Sequence, residues 1–219
     1  MISHAVEDYL KAIYELEEEF GKVSTSALAE QLNVAPASVT GMLQKLAEER
    51  PRLVRYERHH GVELTPAGRK IALEIIRHHR LIELYLAESL GYEWDKVDAE
   101  AEKLEHVISE EFEDKISALL GDPTVDPHGD PIPAKDGSVA TRSRQALSEM
   151  NAGQTVRVTR VRDDDPAFLR YLAELGISPQ TMLSVTDKSP FEGPMHVTVG
   201  NRSHALGKHV TDKIFVEVE

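Results

Sequence analysis

The chain contains no cysteine in its 219 residues. That excludes disulfides and thiolate metal sites, and it makes a reducing cytoplasm the expected compartment. No apolar run approaches the ~18–20 residues of a membrane span. The opening stretch, "MISHAVEDYLKAIYELEEEF", has neither a basic n-region nor an unbroken apolar core, so no signal peptide is expected. Positive charge is scarce: 25 Lys and Arg stand against 38 Asp and Glu, a net charge of −13. Taken as an average, this argues against a nucleic-acid partner, whose phosphates demand cations. The distribution of charge therefore has to be read locally. What is present supports folding: 41% of residues are hydrophobic, and the length suits two or three small domains of about 100–150 residues each.

Apolar positions Val6, Leu10, Ile13 and Leu16 have a helical period, and Gly21 stops that helix. A second helix is expected over about 26–32, capped by Thr25 or Ser26. "NVAP" breaks the chain, and Pro36 suits the first turn of a third helix, "PASVTGMLQKLAEE". "LVRYERHHGVELT" reads as a hairpin turning at "HHG". Helix resumes at Pro66 and breaks at Gly91, and another helix is expected over about 95–120. "GDPTVDPHGDPIPAKDG" reads as a loop or linker. From Thr155 the period shortens to that of strands in "TVRVTRV", "MLSVTD", "MHVTVG" and "IFVEV", with one helix, "PAFLRYLAELG", inserted. This predicts a small, strongly bent sheet or barrel.

Two short helices, a tight turn and a hairpin make a winged helix-turn-helix pattern over residues 24–65. Leu28, Ala29 and Leu32 are expected to pack on Val34, Val39 and Leu43. The third helix would then present Ser38, Thr40, Gly41, Gln44 and Lys45 outward, short or polar groups suited to base edges and phosphates. Pro36 and Ala37 at its start, and Arg58 and His60 at the hairpin turn, complete the candidate DNA contacts. Local charge agrees. Residues 44–70 carry seven bases and four acids, a local excess of cations in an acidic chain. The alternative is a generic three-helix unit with a solvated basic face.

Eight acids and one base lie between Asp98 and Asp114, with His106 among them. On one continuous helix, Val97, Ala101, Leu104, Ile108 and Phe112 form a core stripe. Asp98, Glu102, Glu105 and His106 fall on an arc beside it, where Glu102, Glu105 and His106 at offsets of zero, three and four converge. Carboxylates with imidazole suit manganese, iron or zinc. His79 and Glu83 form a second chelating pair at i, i+4, with His78 expected outward. Asp8 is placed to face inward at a margin of helix one. Glu100, Glu110, Glu111 and Glu113 show no such convergence and are read as solvated, the ordinary fate of acids on a helix.

These motifs resemble the metal-dependent repressors that include the diphtheria toxin repressor and the manganese transport regulator. The shared patterns are "EDYLKAIYELEE", "VAPASVTGMLQKL", "GVELTPAGRKIA", "RHHRLIE" and "EAEKLEHVISEEFEDKI", covering about residues 5–135. "AFLRYLAELGISPQTMLSV" resembles the SH3-like module of longer members, with less specificity. The resemblance implies a multidomain chain, mainly α with a small β part. Its parts would be a winged helix domain (1–72), a helical dimerisation and metal-binding domain (73–140), a linker (141–152) and an SH3-like β-barrel (153–219). By the same resemblance a primary metal site would use Asp8, Glu102, Glu105 and His106. An ancillary site would use His79, Glu83 and Asp98, with Asp165, or Asp164 beside it, from the SH3-like domain.

Iron-responsive members carry methionine at the place of Asp8, cysteine at that of Glu102 and histidine at that of Asp98. Hard oxygen ligands here favour Mn²⁺, the weakest binder of the divalent series, over metals that select sulfur. Short manganese regulators have an acid where Lys11 stands, and an ammonium cannot ligate. The expected function is a Mn²⁺-activated repressor of metal-uptake genes, binding a palindromic operator as a homodimer. Fe²⁺ is the alternative metal, with Zn²⁺, Co²⁺, Ni²⁺ or Cd²⁺ as substitutes in vitro. A metal-independent winged-helix regulator is a second alternative. A metal hydrolase is the reading from another class, but no nucleophile–base arrangement accompanies the acidic cluster, so no enzymatic activity is expected.

Overall fold

The computed structural model describes residues 2–57, 59–162 and 165–219. Arg58 and Asp164, both named above, lie outside the described residues. The chain divides into two compact units. The first comprises residues 2–79, Glu105–Ser109 and Pro133–Ser138; the second comprises Arg80–Leu104, Glu110–Ile132 and the described part of Val139–Glu219.

In the first unit, α1 (His4–Phe20) ends at Gly21, whose φ of 77° takes the chain out of the helix. The next helix, α2 (Thr25–Gln31), is capped by Ser24, whose hydroxyl accepts the Ala27 N–H at 3.1 Å. The cap therefore falls one or two residues before the expected one. Then α3 (Pro36–Glu48) starts on proline and buries Val39, Leu43 and Leu46. It packs on α2 and on β1 (Val54–Glu57), while α1 packs on α2 and on β2 (Gly61–Leu64). The two strands pair antiparallel as a hairpin, with Glu57 opposite Gly61. Val34 was expected in this core, but it is exposed at the turn before α3. The long helix α4 (Pro66–Leu90) begins behind Thr65, whose Oγ1 accepts the Gly68 N–H. Any Cβ on Gly68 would lie 2.0 Å from the Leu53 carbonyl oxygen, so only glycine fits there.

The expected single helix over 95–120 is two helices: α5 (Val97–Leu104) and α6 (Glu110–Leu119). The core stripe stops with the first. Phe112 is 46% exposed, and Glu113, read as solvated, is buried. Within the second unit, Leu81, Leu84, Ile116 and Ile132 share one apolar cluster.

The rest of the second unit is a five-stranded antiparallel sheet of β3 (Thr155–Val161), β4 (Met182–Lys188), β5 (Met195–Val199), β6 (Arg202–Leu206) and β7 (Ile214–Val218), in the order β6-β5-β4-β3-β7. Alternating Val156, Val158, Leu183, Val185 and Val197 form its core against Phe168, Leu169 and Leu172 of α7 (Pro166–Leu175). A four-residue helix, α8 (Lys208–Thr211), precedes β7. The segment expected as a linker, 141–152, supplies Leu147 and Met150 to that core. Residues 121–137 are likewise no loose tether: Asp126, His128 and Asp130 are buried. Gly129 (φ 93°) passes so close to β3 that a Cβ would sit 2.1 Å from the Thr159 carbonyl oxygen. Among the described residues no helix is long and apolar enough to cross a membrane.

Candidate metal centre

In the first unit, α1 and the Glu105–Ser109 segment bring Asp8, Glu105 and His106 together, with one ligand atom of each within 4.8 Å of the others. Glu105 is fully buried. His106 Nδ1 lies 2.8 Å from Glu7 Oε2, and its Nε2 lies 2.8 Å from Asp8 Oδ1 and 3.4 Å from Glu105 Oε1. A neutral imidazole that donates Nδ1–H to Glu7 carries its lone pair on Nε2. That lone pair then faces two carboxylate oxygens, an arrangement that asks for a cation. His4 stacks on the ring at 4.8 Å and holds its plane.

Around the other oxygen of Glu105 the partners are basic. Lys11 Nζ donates to Oε2 at 2.7 Å, and His79 Nδ1 also contacts Oε2. Burial alone would push the Glu105 carboxyl up, but the His79 hydrogen bond and the Lys11 charge outweigh it and hold it below the usual carboxylate range. His78 Nδ1 lies 3.0 Å from the Glu105 carbonyl oxygen and fixes the backbone there.

The second unit contains another convergence, Glu83, Asp126 and His128, all buried. His128 Nε2 lies 2.8 Å from the Trp94 carbonyl oxygen, an acceptor, so it carries a proton, and Nδ1 faces Glu83 Oε1 at 3.6 Å. Asp126 Oδ1 accepts the backbone N–H groups of His128 and Asp130, both at 2.9 Å. Desolvation, with Glu83 and Asp130 adding negative charge, pushes Asp126 up to about 8. Asp130 behaves oppositely: Arg80, Arg160 and Arg142 hold it low despite burial. Both donor sets, carboxylate oxygen with imidazole nitrogen, fit a divalent ion of intermediate hardness.

Residues 1–62 match the family model of the iron-dependent repressor N-terminal DNA-binding domain. Residues 65–134 match that of the iron-dependent repressor metal-binding and dimerisation domain, and 145–218 match the FeoA domain. The iron-dependent repressor IdeR of Mycobacterium leprae is 31% identical, with 96% of each chain covered. A solved manganese-dependent transcriptional repressor in complex with manganese is 39% identical with a TM-score of 0.89, covering 98% of this chain and all of that one. The structure of the manganese regulator SloR is 31% identical with a TM-score of 0.78, covering 98% of each. The chain belongs to the family of metal-dependent transcriptional repressors.

Of the ligands expected for the repressor's primary site, Asp8, Glu105 and His106 converge within the first unit, as described. Glu102 and Asp98 are exposed on α5 in the second unit. His79 belongs to the first unit and Glu83 to the second. Asp165 is the N-cap of α7, its Oδ1 accepting the Ala167 N–H at 2.8 Å. Sequence spacing missed Glu7, Asp126 and His128. It also placed His78 outward, where the structure buries it. On α3 the repressor exposes Pro36, Ala37, Ser38, Gly41, Gln44 and Lys45, and His60 is exposed at the hairpin turn. Thr40 is half-buried, its hydroxyl donating to the Pro36 carbonyl at 3.1 Å.

Proposed function

We propose that the chain is a cytoplasmic, Mn²⁺-responsive repressor that binds a palindromic operator as a homodimer and has no enzymatic activity. The observation that carries the metal reading is the convergence of Asp8, Glu105 and His106 within the first unit. Asp8 sits on α1, which packs against α2 and the hairpin of the winged helix. Glu105 and His106 come from a segment far along the sequence. A bound divalent cation supplies positive charge shared by these groups and so joins the two stretches. The chain's own residues do the rest: Glu7 and His4 orient His106, His78 fixes the Glu105 backbone, and α1 carries the constraint to the DNA-binding helices. Constraint of this kind favours one arrangement of recognition helices, which is what shifting a population requires. In a two-fold dimer that arrangement sets half-site spacing.

Manganese is favoured over iron because the converging donors are oxygen and nitrogen, in a chain without cysteine. Likeness to a repressor solved with manganese supports the same choice. The test is a gel shift on operator DNA in chelator, in Mn²⁺ and in anaerobic Fe²⁺. Tight binding is expected in micromolar Mn²⁺ and not in chelator, and Glu105→Ala or Asp8→Ala is expected to abolish the difference. Equal binding in chelator and Mn²⁺ would favour a metal-independent regulator. A response to Fe²⁺ at lower concentration than Mn²⁺ would reverse the metal assignment.

A further inference from the structure

Lys11 lies one helical turn beyond Asp8 on α1, on the same face. Its side chain is 12% exposed and its ammonium is 2.7 Å from Oε2 of the fully buried Glu105. The same Nζ is 3.0 Å from His79 Nδ1. The two oxygens of Glu105 thus serve different neighbours. Oε1 faces His106, and Oε2 is held by Lys11 and His79.

We propose that Lys11 is a tethered cation that competes with the divalent ion for the charge of Glu105, and so sets the metal concentration at which the repressor responds. This rests on the metal reading above. An ammonium has three donors and no lone pair, so Lys11 cannot enter a coordination sphere. It can only neutralise an anion that would otherwise draw a metal. Two cations on one buried carboxylate repel each other, and burial weakens the screening between them. A divalent ion therefore binds less tightly with Lys11 in place than without it. The same ammonium compensates a carboxylate that burial would leave costly to ionise. Lys11 thus trades metal affinity for stability of the unloaded chain, and the two effects must move in opposite directions when it is changed.

The experiment is Mn²⁺ titration calorimetry on the full-length chain at fixed pH, paired with melting temperatures in chelator. Lys11→Met keeps most of the side chain's length and removes the charge. It is expected to bind Mn²⁺ about tenfold tighter or more, and to melt at a lower temperature in chelator. Lys11→Arg, which restores the charge, is expected to bring the affinity back toward that of the unmodified chain. Equal or weaker Mn²⁺ binding by Lys11→Met would overturn the proposal and make Lys11 a positioning residue for Glu105. If Lys11→Met fails to fold, Lys11→Gln is read by the same criterion. Absence of Mn²⁺ binding in the unmodified chain and all variants would overturn the metal reading, and this proposal with it. Binding by the unmodified chain without tightening in either neutral variant would overturn this proposal alone.

Discussion

The Glu7 carboxylate meets Nδ1 of His106, while Asp8 and Glu105 lie at Nε2, and so it decides which nitrogen faces them. With Nδ1–H donated to Glu7 Oε2 at 2.8 Å, the ring can turn only Nε2 toward the two carboxylates. Partners of this kind fix both tautomer and ring orientation, and their loss typically weakens metal binding by about 10–100-fold. Glu7→Ala is therefore expected to weaken Mn²⁺ binding by that factor with little change in melting temperature in chelator, since Glu7 is partly exposed on the first turns of α1. Calorimetry that returned an unchanged affinity would remove Glu7 from the site. The sequence carried no signal for it. Asp8 was named by the family resemblance, and Glu105 and His106 by a carboxylate and an imidazole side by side, although the single helix assumed for them ends at Leu104. A supporting carboxylate follows no spacing and depends on a tertiary meeting across 99 residues. His78 was misplaced for a different reason. Residues of α4 are buried around most of its circumference, so helical period cannot separate an inner face from an outer one.

Elements were read well where a period was strong and poorly where charge imitated one. The acidic stretch from Asp98 to Asp114 reads as a single helix, but "VIS" at 107–109 interrupts it. Two β-branched residues lower helix propensity, and serine favours the start of a new helix. The acids that follow, Glu110, Glu111 and Glu113, then occupy the first turn of α6, where the helix dipole favours them. That break matters, because Glu105 and His106 lie in it. Likewise, proline and glycine in residues 121–137 announced a loop but not its burial. Within that loop Asp126 is pushed up to about 8 from an ordinary 3.8, which gives a pH signature. Between those values the folded chain holds a proton that the unfolded chain releases. This group's contribution to stability is therefore complete below its ordinary value and is lost as pH rises through about 8. In chelator, Asp126→Asn is expected to flatten the decline of melting temperature between about pH 4 and 8. Scanning calorimetry giving parallel pH profiles for the two proteins would refute the shifted carboxyl. β6 went unnoticed because "RSHAL" at a sheet edge has no apolar alternation to reveal it.

For the molecule as a whole, charge raises a conflict that only its distribution settles. A chain of net charge −13 should be repelled by a phosphate backbone. Yet bases outnumber acids over residues 44–70, and the part of that region on α3 and the hairpin includes exposed Gln44, Lys45 and His60. Within a Debye length of about 8 Å at physiological salt, a phosphate at α3 feels a nearby base such as Lys45 more than any charge farther away. Operator affinity should therefore fall steeply with salt, because each phosphate neutralised by a base releases condensed counterions. Lys45 and Gln44 are expected to divide the labour. Lys45→Ala should weaken binding to operator and unrelated DNA alike and reduce the log–log salt slope by about 1. Gln44→Ala should leave the salt slope in place and reduce the preference for operator over unrelated sequence, as loss of a base-edge contact does. Fluorescence anisotropy in Mn²⁺ across a salt series measures both quantities. A Lys45→Ala slope equal to that of the unmodified chain would move the phosphate contact off α3, and a Gln44→Ala variant with undiminished sequence preference would mean that this helix face does not read bases.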